Sequence, residues 1–200
     1  MLHRRLVVPD GDIVVHCGDW TSGGELADYE DFFGWFAALP HPHKILVAGN
    51  HEKAMEENNA LMRLRIPPDI MYLQDSGTTI AGLRFWGSPR TPSPQWMAFV
   101  HRPSDDPERL WDHLPENTDV LVTHGPPYGI LDRAYNGHRF GDKDLMKRVH
   151  LVRPRLHLFG HIHEQNGNME RFGTVFVNAA IGDNDEDPRL SERIHVIDIE

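Results

Sequence analysis

The stretch LHLFGHIHEQ, residues 156–165, ends an apolar run at a glycine and then places His161 and His163 one residue apart. Paired imidazoles can ligate a metal ion or carry a proton, although among 14 histidines in 200 residues one such pair also arises by chance. Three other apolar runs end in the same manner. DIVVHC (12–17) is followed by Gly18-Asp19, KILVA by Gly49-Asn50-His51, and DVLVT by His124-Gly125-Pro126-Pro127. Taken singly, Gly-Asp and Gly-Asn are ordinary turn dipeptides. Repeated at four strand ends, they gather a carboxylate, an amide and several imidazoles. Such nitrogen and oxygen donors suit Mn, Fe, Zn, Co or Ni, whereas a calcium site takes oxygens throughout. His16 and His157 lie inside the runs and are expected in the core. His41, His43, His101, His113, His150 and His195 have no ligand-like spacing and are expected to be structural or on the surface.

Convergence of these groups requires strands whose carboxyl ends meet, the arrangement that forms the functional crevice of open α/β sheets. A glycine lets the chain turn sharply off a strand and bring a polar side chain back over the sheet edge. The continuous Val/Ile/Leu character of 12–17, 44–49, 119–124 and 155–160 predicts strands buried on both faces. TVFVNAA (174–180) and RIHVIDI (193–199) are expected as further strands, and TTIAGLRFWG (78–87) as a hairpin. Helical spacing covers 25–39, 51–64 and, more weakly, 142–150; the Pro- and aromatic-rich segment 87–107 is expected as an ordered surface loop.

Length and composition (40% hydrophobic, 25% charged) fit a globular α/β chain read as one domain over 1–200. There is no apolar run long enough to span a bilayer, and MLHRRLVVPDGD lacks a secretory h-region, so a cytoplasmic protein without membrane association is expected. The only cysteine, Cys17, excludes an intrachain disulfide and is expected as a small buried strand residue. A net charge of −10 disfavours nucleic acid polymers, and an anionic substrate would need a local positive centre.

GDW (18–20), GNHE (49–52), THGPP (123–127) and GHIHE (160–164), in that order, resemble the blocks of the calcineurin-like metallophosphoesterase superfamily. Together with FWGSP and FVNAA, they are most similar to the small branch of brain-type metallophosphoesterase-domain proteins and related bacterial enzymes. The resemblance implies a four-layer α/β/β/α sandwich of two mixed sheets and a centre of two divalent transition metals. Asp19 would bridge the metals, Asn50, His124 and His161 would complete the shell of the second, and His163 would hold the first. His51 would bind the scissile phosphate or protonate the leaving oxygen, with Asp19 its partner in catalysis. The chemistry is that of paired metals activating water for in-line attack on phosphorus.

One block departs from the pattern. The family begins with a strand ending in Asp-x-His, and no such block precedes Asp19; Leu2–Arg5 resembles the segment that follows it. The expectation is a sheet whose first strand is missing or truncated, with one metal bound in the chain as written, and a start downstream of the natural one. Two functions compete: hydrolysis of small phosphodiesters such as cyclic nucleotides, and nucleotide binding or regulation by a one-metal protein with little turnover. For the first, Trp86, Trp96 and Phe99 are candidates to stack on a base and Arg90 to pair with phosphate, beside His51. The same aromatics equally well pin a Pro-rich loop. Oligomeric state has no signal.

Overall fold

The computed structural model describes residues 2–23, 25–94, 96–100, 107–182 and 189–199. In chain order these form β1 (Ile13–His16), α1 (Leu26–Ala37), β2 (His43–Val47), α2 (Lys53–Glu57), α3 (Asn59–Arg63), β3 (Ile70–Leu73), β4 (Ser76–Ile80), β5 (Leu83–Ser88), α4 (Pro107–Asp112), β6 (Val120–Thr123), α5 (Lys143–Val152), β7 (Leu156–Phe159), β8 (Gly167–Arg171) and β9 (Thr174–Asn178). One sheet runs β1-β2-β3, all parallel; the other runs β4-β5-β6-β7-β9-β8, parallel in its centre with antiparallel edges. The expected pair of mixed sheets is thus one mixed sheet and one parallel sheet among the described residues.

Three apolar clusters mark the interfaces of four layers. On β2, Leu46 faces outward with Phe32, Phe36 and Met55, packing α1–α3 against the first sheet. Its neighbours Ile45 and Val47 face inward and meet Phe85, Val120, Val122 and Val177 from the second sheet. On β6, Leu121 faces the far side with Trp86, Phe159, Leu145 and Val149, under α4 and α5. Alternate residues of one strand therefore serve two different cores, which is why the parallel strands read as unbroken apolar runs.

Several boundaries differ from those expected. The helix over 51–64 is two short helices broken at Asn58, whose φ of −127° and ψ of 41° are not helical. The hairpin begins at Ser76 and turns through Ala81 and Gly82, both at positive φ. The loop 87–107 begins two residues inside β5, and its residues 101–106 lie outside the described residues, among them His101, expected to be structural or on the surface. No described helix is long and apolar enough to cross a membrane.

The expected strand at 193–199 does not form. Residues 190–193 make a single 3-10 turn and 194–199 run on without ladder partners. A cavity of about 580 Å³ explains why: Ile13 and Val15 of β1 line it together with Ile194, Ile197, Val177 and Ala179. The outer edge of β1 has no strand beside it among the described residues, and the C-terminal segment borders the same cavity without pairing to that edge. The cavity opens to solvent past Val196 and Ile197, so apolar side chains along β1 are left partly uncovered. Filling it from its wall with Val15→Phe should stabilise the chain by about 0.5–2 kcal/mol and raise the thermal midpoint by about 1–8 °C. A lower midpoint in a thermal scan would show that Val15 has no room to grow.

His157 is fully buried in β7 and its Nε2 lies 2.8 Å from Thr123 Oγ1, which itself donates to the Gly125 carbonyl at 2.7 Å. Nε2–H is therefore the donor, and burial pushes the imidazole down to about 3. The sign follows from linkage: the unfolded chain takes up this proton below pH about 6.5 while the folded chain resists. Stability should fall as pH drops from 6.5 toward 4, by up to about 1.4 kcal/mol per unit from this residue. Denaturant titrations with chelator present should show a shallower acid slope in His157→Gln than in wild type; equal slopes would assign the loss elsewhere.

Candidate metal centre

The turns that leave the strands are strained in a way that aims their side chains. After β1, Gly18 (φ 101°) and Asp19 (φ 58°) are both left-handed, and after β7 His161 is too (φ 70°). For residues bearing a Cβ this conformation costs on the order of 1–3 kcal/mol and persists where its surroundings enforce it. Gly49 serves by close approach instead: a Cβ there would lie 2.6 Å from His124 Cε1. Asn178 in β9 secures the turn at 160–163, donating to the Ile162 carbonyl at 2.8 Å and accepting from Ala180 N at 3.0 Å.

The ligand atoms of Asp19, His124 and His161 lie within 4.8 Å of one another. His124 is buried, and its Nδ1–H donates to the Cys17 carbonyl at 2.8 Å, which turns Nε2 toward Asn50 Oδ1 at 2.8 Å and Asp19 Oδ2 at 3.2 Å. Asn50 is oriented by Met97 Sδ, 3.0 Å from its Nδ2. Two oxygen acceptors thus face one ring nitrogen, and a proton or a cation has to lie between them. Burial draws His124 down, but the charge and hydrogen bond of Asp19 outweigh it and leave the imidazole raised. Burial acts to raise Asp19, and His124 overrides it, holding the carboxyl well below its usual range. Burial, reinforced by His124, pushes His161 down to about 3. An ionised carboxylate, an amide oxygen and two imidazoles in this arrangement fit a divalent transition ion, which would take the place of the His124 proton.

Beneath this group lies Glu52, fully buried, a residue to which the sequence assigned no role. Its carboxylate accepts from the backbone N–H groups of Asp19 (2.9 Å), Thr21 (3.0 Å) and Gly49 (2.6 Å) and from Thr21 Oγ1 (3.1 Å). Burial and then the charge of Asp19 push it up to about 7, against the pull of those amides. The available signal was its place in GNHE, directly before α2.

The other expected site residues fall around the group. His51 N donates to Asp19 Oδ1 at 3.0 Å, and its ring Nδ1 lies 3.1 Å from the Ser22 carbonyl. His163 lines the large cavity with Asp19 and His161 but stands outside the converging set. Trp96 is 69% exposed, with Lys53 Nζ 5.7 Å from its ring centre, and neighbouring Ala98 N donates to the Asn50 carbonyl at 3.0 Å. The structure ties Arg90 to Asp75 instead, Nε to Oδ2 at 3.5 Å. Trp86 and Phe99, named with Trp96 as stacking candidates, are both buried, and Trp86 packs in the core under α4 and α5.

Fold and donor set together describe an α/β/β/α sandwich with a candidate metal centre at the carboxyl ends of the strands. A family model for calcineurin-like phosphoesterases matches residues 1–165, and the chain belongs to that family of metal-dependent phosphoesterases. It is 36% identical over 190 residues to UPF0046 protein K07C11.7 of Caenorhabditis elegans, covering 88% of this chain and 65% of that protein. It is 34% identical over 198 residues to human metallophosphoesterase domain-containing protein 1, covering 87% of this chain and 61% of that protein. The chain thus spans somewhat less than two thirds of each of these two relatives. One solved crystal structure matches with a TM-score of 0.59 at 16% identity, covering 77% of this chain and 63% of that one, a likeness of fold.

Glu52→Ala would leave three backbone donors without an acceptor, at about 1–3 kcal/mol each. The variant should lose about 3 kcal/mol or more in urea unfolding and bind manganese more weakly, because the turns that carry Asp19 and Asn50 lose their common anchor. A change under about 0.5 kcal/mol, the size of an ordinary surface substitution, would contradict this.

Proposed function

We propose that the chain hydrolyses small phosphodiesters, cyclic nucleotides or compounds like them, with water activated by a divalent transition metal. The observation that carries this is the convergence of Asp19, Asn50, His124 and His161 from four strand ends. When bound there, Mn, Fe, Zn, Co or Ni supplies Lewis acidity toward a phosphate oxygen and toward water. His51 is positioned for proton transfer: with Nδ1–H donated to the Ser22 carbonyl, its Nε2 is the atom that carries the labile proton, and the imidazolium form delivers it to the leaving alkoxide. Trp96, exposed beside Lys53, offers a face on which an aromatic arm of the substrate stacks. Arg90 would reach a phosphate only by giving up Asp75. A cytoplasmic location belongs to the same proposal and agrees with a single buried thiol.

A second reading, a one-metal nucleotide-binding or regulatory protein, is favoured by one observation: His163 stands outside the converging ligands. A second ion would need further ligands near Asp19 and His163, at the end of the cavity that runs along β1.

Hydrolysis of bis(p-nitrophenyl) phosphate in manganese separates the readings. Turnover that exceeds the rate on p-nitrophenyl phosphate is expected, and binding of nucleotide without turnover would favour the second. His51→Ala should lower kcat by about 10²–10⁴ with metal content retained, and the loss should be smaller for an aryl than for an alkyl leaving group. Equal losses on the two would remove His51 from the proton-transfer role.

A further inference from the structure

A second cleft, of about 380 Å³, opens beside the metal centre and is lined by Tyr135, His163, Glu164, Asn166, Arg189, Glu192 and Arg193. Its volume lies within the range of small-molecule sites. His163 lines both this cleft and the cavity bordered by Asp19 and His161, so a molecule held at the metal centre has a neighbouring space to extend into. We propose that the cleft is the subsite for one ester arm of the substrate, and that it selects a neutral, hydroxyl-bearing group the size of a sugar.

The walls are built before any ligand arrives. Glu164 accepts from Tyr135 N at 3.0 Å, which fastens the loop after His124 onto the turn that carries His161 and His163. Asn166 Nδ2 donates to the Arg193 carbonyl at 3.0 Å, and Arg193 Nη1 donates to the Ile181 carbonyl at 3.2 Å. Tyr135 itself is 94% exposed, an aromatic face in solvent at the cleft wall. Such a face holds the apolar side of a flat ring, and a well-packed aromatic contact is worth more than its buried area alone.

Charge decides the kind of arm. Two glutamates and two arginines share the cleft, so an anion meets carboxylates and a cation meets guanidinium groups. A hydroxyl group suits both, donating to a carboxylate and accepting from a guanidinium or amide N–H. An acyclic phosphodiester has two arms, and Trp96, near the turn that carries Asn50, is a separate wall for the other. The inference rests on the phosphoesterase reading for the reaction, but occupancy of the cleft can be read without turnover.

The test compares thymidine 5′-(p-nitrophenyl phosphate), which has a sugar arm, with bis(p-nitrophenyl) phosphate, which has none. Glu192→Ala should raise KM for the thymidine ester about tenfold relative to KM for the bis-aryl ester, with kcat little changed, the loss expected from one hydrogen bond between a charged carboxylate and a bound hydroxyl. An unchanged ratio overturns the proposal. If the wild-type chain turns over neither ester, the phosphoesterase reading fails by itself. The cleft is then judged by calorimetry with thymidine 5′-phosphate on the manganese-loaded chain. Binding weakened about tenfold by Glu192→Ala and also by Tyr135→Ala upholds the subsite, while equal binding in all three, or none in wild type, overturns it.

Discussion

The contact between Asp19 and His124 spans the two sheets, and much else in the molecule is arranged to permit it. Asp19 leaves the first sheet, His124 the second, and their 3.2 Å approach brings a carboxylate and an imidazole together near the top of the inter-sheet core. Backbone groups fix it from both sides: Cys17 O accepts from His124, and Gly160 N donates to the His124 carbonyl at 2.9 Å, carrying the order on to His161. Paired charges removed from water are costly unless further polar groups surround them. Here Glu52, Asn50 and the amides of the two turns provide that shell. Left-handed backbone at Asp19 and His161 is the conformational cost of bringing these atoms to one point.

The same interaction explains the distribution of burial. The sandwich is dense around β2, β6 and β7, whose ends carry Asn50, His124 and His161, and thin along the outer edge of β1. The candidate metal centre therefore has a well-packed side, toward His124, and an open side, toward His163 and the cavity. The candidate ligands on the packed side are held by neighbours on several elements, whereas His163 lies in a short 3-10 turn with intermediate exposure.

The four strand ends were legible because each couples a continuous apolar run to a glycine or histidine, a pattern that depends only on local sequence. Strands at 13–16, 43–47, 120–123 and 156–159 fall within the expected runs or one residue from them; His157 is buried as expected, whereas His16 packs on Phe32 but is only half-buried beside the cavity. What failed was set by neighbours. Residues 193–199 carry a strand's composition, but the cavity they line with β1 leaves them unpaired, and pairing makes a strand. β8, with the sequence GNMER, is an exposed edge whose residues show no apolar alternation, and it went unrecognised for that reason. Asn58 breaks a helix that spacing alone would continue. Glu52 was visible as a letter in GNHE, but the amides that give it a purpose come from a turn about thirty residues earlier, beyond the reach of any local pattern. Arg90 lies beside Asp75, a neighbour that no local pattern reveals.

The most direct test is to count ions. Manganese bound per chain, followed by equilibrium dialysis with electron paramagnetic resonance detection of free ion, should show one tight site that disappears in His124→Ala. Any second ion should bind far more weakly, because Asp19, Asn50, His124 and His161 are gathered on one side and His163 stands apart. Two ions of equal affinity, or a tight ion that survives the loss of His124, would contradict a centre built on the contact between Asp19 and His124.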